Sequence, residues 1–168
     1  LIPFLQPKIQ KIFNDAKTAL DEDGVEAALK EFDKLDEKWI KYGQAGSSFL
    51  RYKQVYEGMK KKQDEFPNAM GEADDLEQAN KFFEAYDKVT GFYNSTMTPD
   101  GCLITDAFQG KIKLRMDRLE REIVSKFNQM GPEEKKKKFR DFYNVHNLDI
   151  RTAGGNLDAF RKIGSETG

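Results

Sequence analysis

His146 and Cys102 are the single histidine and the single cysteine of this 168-residue sequence. A serine hydrolase needs a base beside its nucleophile and a cysteine protease needs an imidazole beside its thiol, so either chemistry would have to rest on these two residues. His146 follows Phe142 by four residues on an apolar helical stripe, where a partly buried, hydrogen-bonded histidine is expected rather than a catalytic base. Cys102 falls where a helix is expected to begin, a place where helix dipoles favour thiolates in general. An ordinary semi-buried thiol is the expectation. Neither the P-loop nor the dinucleotide glycine fingerprint occurs, so no phosphate cradle is read.

Metal chemistry fares no better. One histidine cannot supply the paired histidines of a zinc-protease helix, and one cysteine can form neither a thiolate cage nor an intramolecular disulfide. Asp21-Glu22-Asp23-Gly24 and Thr98-Pro99-Asp100-Gly101 look like pieces of a calcium loop. Aligning Gly24 with the loop's glycine puts Ala19 at the first ligand position and Lys30 where a bidentate glutamate belongs; aligning Gly101 puts Thr96 first and Ala107 last. Both stretches are therefore expected to be turns and caps. The 29 acidic residues allow many carboxylate pairs, and spacing singles out none. No catalytic residue, metal site or cofactor is expected, and the chain is read as not an enzyme.

The elements that would position any site have a helical period throughout. Ile9, Ile12, Phe13, Ala16 and Leu20 recur at three and four, with Pro7 suited to the first turn. Val25, Leu29, Phe32, Trp39 and Tyr42 mark a second stripe ending at Gly43. A third stripe, Phe49, Tyr52, Tyr56, Met59 and Phe66, is expected to close at Pro67. Leu76, Ala79, Phe83, Tyr86 and Val89 give a fourth, and residues 91–101 read as an exposed loop. The fifth and longest runs through Ile104, Phe108, Ile112, Met116, Leu119, Ile123, Phe127 and Met130, with Asp117 to Arg121 and Glu122 to Lys126 in favourable order. Gly131-Pro132 starts a sixth with Phe139, Phe142, Tyr143 and His146, and Asn156 caps a short last one with Leu157, Phe160 and Ile163. The spacing predicts helices near 8–20, 24–42, 48–66, 72–90, 102–130, 132–146 and 156–163. No stretch alternates like a strand. The expected fold is all-α: a single domain, residues 1–168, built as an antiparallel bundle of about six helices plus a short C-terminal one.

Composition agrees, since 38% hydrophobic residues with thirteen Phe and six Tyr can build a packed core. No apolar run approaches the roughly 20 residues needed to span a bilayer, so an integral membrane protein is not expected. The sequence begins at Leu1 without Met, and Asn94-Ser95-Thr96 is a glycosylation sequon ahead of Pro99 and Gly101. On these two features a secreted chain is expected over a cytoplasmic one.

Net charge is −1, so attraction to a polyanion must come from a local patch. Acids outnumber bases over residues 14–37, and bases dominate over residues 111–140. Lys135, Lys136, Lys137 and Lys138, with Arg140, form the candidate partner surface. Their interleaved aromatics fall on one stripe and read as core, while Glu133 to Lys137 and Glu134 to Lys138 are expected to pair outside. Nucleic acid is therefore not the expected partner. Arg115 and Asn80 interrupt apolar stripes; snorkelling and a register-fixing contact are their plain roles, and holding a ligand carboxylate inside the bundle is the sharper one. The leading expectation is a non-enzymatic helical interaction protein that binds another macromolecule through its charged helix faces, with a protein the expected partner and the basic half facing an acidic partner protein or an anionic surface. The alternative is a carrier of a small apolar ligand such as a fatty acid, drawn from the abundant Phe with Met59, Met116 and Met130.

Overall fold

The computed structural model describes residues 2–36, 38, 43–98, 101–102, 104–148 and 156–167. The chain is all-α, with helices packed on helices: α1 (Ile2–Asp23), α2 (Val25–Phe32), α3 (Gly43–Gln78), α4 (Phe82–Ser95), α5 (Asp106–Gln129), α6 (Pro132–His146) and α7 (Leu157–Thr167). Two strands of two residues, Met97–Thr98 and Gly101–Cys102, pair between α4 and α5. Contacts divide the chain into two compact units, residues 1–65 with 98–104 and residues 66–97 with 105–168.

In the first unit α2 folds back along α1 after Gly24, whose φ of 98° suits a residue without Cβ. The return brings Phe32 within 6.3 Å of the Phe13 ring, and the N-terminal part of α3 adds Phe49 and Tyr56 at 5.4 and 5.2 Å from Phe32. Leu5, Ile9, Ile12 and Ala16 are buried at spacings of four, three and four, so one apolar stripe carries α1 straight through Pro7. The second helix is shorter than its stripe suggests. Past Phe32, the Asp33 and Lys34 amides bond back to Lys30 and Glu31, a tightening that turns Leu35 into the core. Trp39 and Tyr42 lie outside the described residues.

Pro67 does not end a helix: it lies within α3. The reason is tertiary. Phe66 packs on Phe92 and Phe108 at 6.0 and 4.9 Å, and Met70 and Ala73 follow it, buried, on the same stripe. Burial of that stripe outweighs the ~3 kcal/mol cost of an interior proline.

The break comes instead at Asn80, with φ of 60°. The Asn80 amide bonds to Glu77 O at 2.9 Å and the Lys81 amide to Leu76 O at 2.8 Å, the paired bonds of a Schellman motif. Asn80 is exposed and so interrupts no buried stripe; it is a helix stop, which corrects the register-contact and ligand-contact readings. The expected loop from residue 91 also starts later, because Ala85, Val89, Phe92 and Thr96 are buried at helical spacing and carry α4 past Gly91. Cys102 belongs to a strand, and α5 starts at Asp106 after Thr105, so this residue is not at a helix start.

Contacts give the helix directions in the second unit. Phe83 meets Phe127 and Tyr86 meets Glu120, so α4 and α5 are antiparallel; Phe142 meets Phe160 and Lys135 meets Glu166, so α6 and α7 are too. Because position 80 demands a left-handed residue, Asn80→Gly is expected to hold or raise stability and Asn80→Ala to lower it by about 1 kcal/mol. Urea denaturation checks this, and equal midpoints for the two variants would contradict it.

Candidate functional site

The candidate surface is the outer side of α6, and its inner side explains how it is held. Glu133 and Glu134 occupy the first turn behind Pro132, where carboxylates suit the helix dipole. Asn147, with φ of 50°, stops the helix as its amide bonds to Tyr143 O at 2.9 Å. Phe139, Phe142 and His146 are buried between these ends. His146 Nε2 lies 2.7 Å from Asp87 Oδ1, with its ring 4.8 Å from Tyr86, which ties the end of α6 to α4.

The lysine run divides in two. Lys135 donates to Glu166 at 2.9 Å and is largely covered, with 14% of its side chain exposed. Lys138 lays its ammonium 4.6 Å over the Phe83 ring. Lys136, Lys137 and Arg140 face solvent without an ion-pair partner among the described residues. The expected pairs Glu133 to Lys137 and Glu134 to Lys138 do not form there. An exposed pair of this kind gains little over its entropy cost, and Lys138 instead covers an aromatic face.

Between α6 and α7 runs an open groove of about 360 Å³, with Phe139 and Tyr143 along it and Lys136, Arg140, Asn144 and Thr167 around it. Gly164 lets α7 come this close, since a Cβ there would sit 3.2 Å from Phe139 Cε1. Lys136 and Arg140 also border a second concavity with Lys137, flanked by Glu133 and Asp141.

Arg115, 14% exposed, pairs with Asp74 and lies 3.1 Å from Glu77 Oε2, and Arg118 joins Glu77 at 2.9 Å. Its guanidinium thus ties α5 to α3 through protein carboxylates, rather than standing ready for a ligand. Asn94 is exposed in the last turn of α4 rather than in a loop, while Thr96 is buried with its hydroxyl donating to Tyr93 O at 2.6 Å.

The sequence reading missed Glu120. It is fully buried on α5, accepting from Tyr86 Oη at 2.9 Å and from Asn156 Nδ2 at 3.2 Å. Asn156 Nδ2 also reaches Asp117 Oδ1 at 2.6 Å, so this side chain fastens the start of α7 to α5. The signal was there: Glu120 stands four after Met116 and three before Ile123, on the core stripe.

Among the described residues no group of three or more His, Cys, Asp or Glu could hold a metal ion, and no helix is long and apolar enough to cross a membrane. No family model, no curated protein and no solved structure matches the chain.

The Lys135 contact holds the Glu166 carboxyl below the ordinary glutamate value, first by hydrogen bond and then by charge. A depressed carboxyl contributes stability above its unfolded pKa and loses it as pH falls through the folded one. Carbon-detected NMR titration of Glu166 is expected to give a midpoint below that of a free glutamate, rising towards it in Lys135→Ala. A midpoint indifferent to Lys135 would remove the clamp from this picture.

Proposed function

We propose that this chain is a non-enzymatic helical interaction protein that binds an acidic segment of another protein through the outer face of α6. One observation carries the reading: Lys136, Lys137 and Arg140 are exposed with no ion-pair partner among the described residues, Lys136 and Arg140 beside an open groove, while Lys135 and Lys138 are engaged within the unit. Such cations steer encounter with an anionic partner, and Arg140 adds a planar fork suited to carboxylate. The groove adds apolar surface at the half-buried Tyr143 for a neighbouring side chain of the same segment. The carrier reading has no comparable support, because Arg115, its intended carboxylate contact, already faces Asp74 and Glu77.

Fluorescence anisotropy with a labelled polyglutamate peptide tests this. Saturable, salt-sensitive binding is expected, weakened about tenfold or more by Lys136→Glu, Lys137→Glu and Arg140→Glu together, and unchanged by Lys135→Gln. Equal binding by the triple variant overturns the docking face. Tighter binding of a single-stranded oligonucleotide, lost in the same triple variant, overturns the choice of a protein partner.

A further inference from the structure

The charge that α6 presents has a complement in the same chain. α1 ends on Asp21, Glu22 and Asp23, all exposed, and Glu26 stands exposed in the first turn of α2 just past Gly24. None of the four is in an ion pair among the described residues. The last turn of α1 holds no base, so three carboxylates sit at the negative end of a helix dipole, where they are locally unfavourable. A cation brought to that turn from outside meets three exposed carboxylates.

We propose that the α1–α2 corner of one copy docks on Lys136, Lys137 and Arg140 of a second copy, giving salt-sensitive self-association. This rests on the reading of α6 as a docking face, since the same three cations serve. The extents match: Lys136 to Arg140 covers about 6 Å of helix axis, and the corner gathers its carboxylates into about one turn on either side of Gly24. Overall charge does not oppose the contact. At net −1 and a pI near 6.0, copies repel one another weakly, while the charge within each is split. The two surfaces differ, so the contact is head to tail, and association grows with concentration unless a ring closes.

Sedimentation velocity over a concentration series in low salt is the measurement. The average mass of wild type is expected to rise with concentration and to fall back in ~1 M salt, where the Debye length is ~3 Å. A variant with Asp21→Lys, Glu22→Lys, Asp23→Lys and Glu26→Lys, and a variant with Lys136→Glu, Lys137→Glu and Arg140→Glu, are each expected to stay monomeric. Mixed in equal amounts, the two are expected to associate, because each then presents the face that the other lacks. All seven positions are exposed, and circular dichroism checks that both variants keep wild-type helicity. A wild type that stays monomeric, association that survives in either variant, or a mixture that stays monomeric overturns the proposal. Wild type that binds polyglutamate yet stays monomeric brings down the self-association alone. A triple α6 variant that binds polyglutamate as wild type does brings down the docking face as well.

Discussion

The burial of Phe142 is the contact on which the second unit turns. Its ring meets those of Phe83, Tyr86, Phe127, His146 and Phe160, drawn from α4, α5, α6 and α7, at centroid distances of 4.7 to 5.7 Å. Tilted and edge-on pairs of this kind add about 0.5–1.5 kcal/mol each beyond the area they bury. The larger consequence is geometric. Once Phe142 points inward, the rotation of α6 about its axis is set, and every other side chain of the helix has its direction. At 3.6 residues per turn, Lys135 and Lys138 come out within roughly 40° of Phe142, whereas Lys136, Lys137 and Arg140 lie roughly 120–160° away. That is why one pair of lysines finds Glu166 and the Phe83 ring while the other three cations face water.

Glu120 puts a polar constraint beside that aromatic one. A carboxyl buried without partners would cost several kcal/mol, so the Tyr86 hydroxyl and the Asn156 amide are conditions for its burial rather than additions to it. Those partners belong to α4 and to the start of α7, while Glu120 belongs to α5. An apolar contact tolerates sliding by a fraction of an ångström; a carboxyl with directional donors on two sides tolerates much less. The rings supply most of the buried area, and Glu120 selects one register among the packings that rings alone would allow. The α6–α7 groove inherits its shape from both, because α7 is placed by Phe160 on Phe142 and by Asn156 on α5.

The fold class was legible because the period of apolar residues reports directly on which face is buried. Helices α5 and α6 are the clearest cases, since Ile112, Met116, Leu119, Ile123 and Phe127, and Phe139 with Phe142, are all buried as their spacing requires. Helix ends were less legible, for a reason visible at Pro67 and Asn80. Proline states a local preference of a few kcal/mol that packing can override, as Phe66, Met70 and Ala73 do. Asparagine states a weaker preference, for the left-handed region, that nothing opposes at an exposed position. The stronger signal lost and the weaker one held. At the candidate surface the lysine run read as one patch, although the angles measured from Phe142 already divide it. Glu120 went unread because a charged residue on a stripe is ordinarily discounted, when its spacing from Met116 and Ile123 placed it inside.

Dividing the run also narrows what the face can hold. Three cations flanked by Glu133 and Asp141 fall well short of the 6–10 phosphate contacts that make nucleic-acid affinity large and steeply salt-dependent. Two of the aromatics that would have to stack on bases are turned into the core: Phe139 and Phe142 are buried and packed on Phe127. What remains is a small pattern of alternating sign. On the proposed reading, a partner that places carboxylates at Lys136 and Arg140 must keep its own acids clear of Glu133 and Asp141, since like charges brought together there cost as much as the right pairing gains. A uniform polyanion such as polyglutamate binds while meeting both the attractive and the repulsive positions, whereas a folded segment with a few fixed carboxylates can meet the first, avoid the second and so bind more tightly. The same two acids that weaken the patch as a general anion binder are therefore what would make it selective.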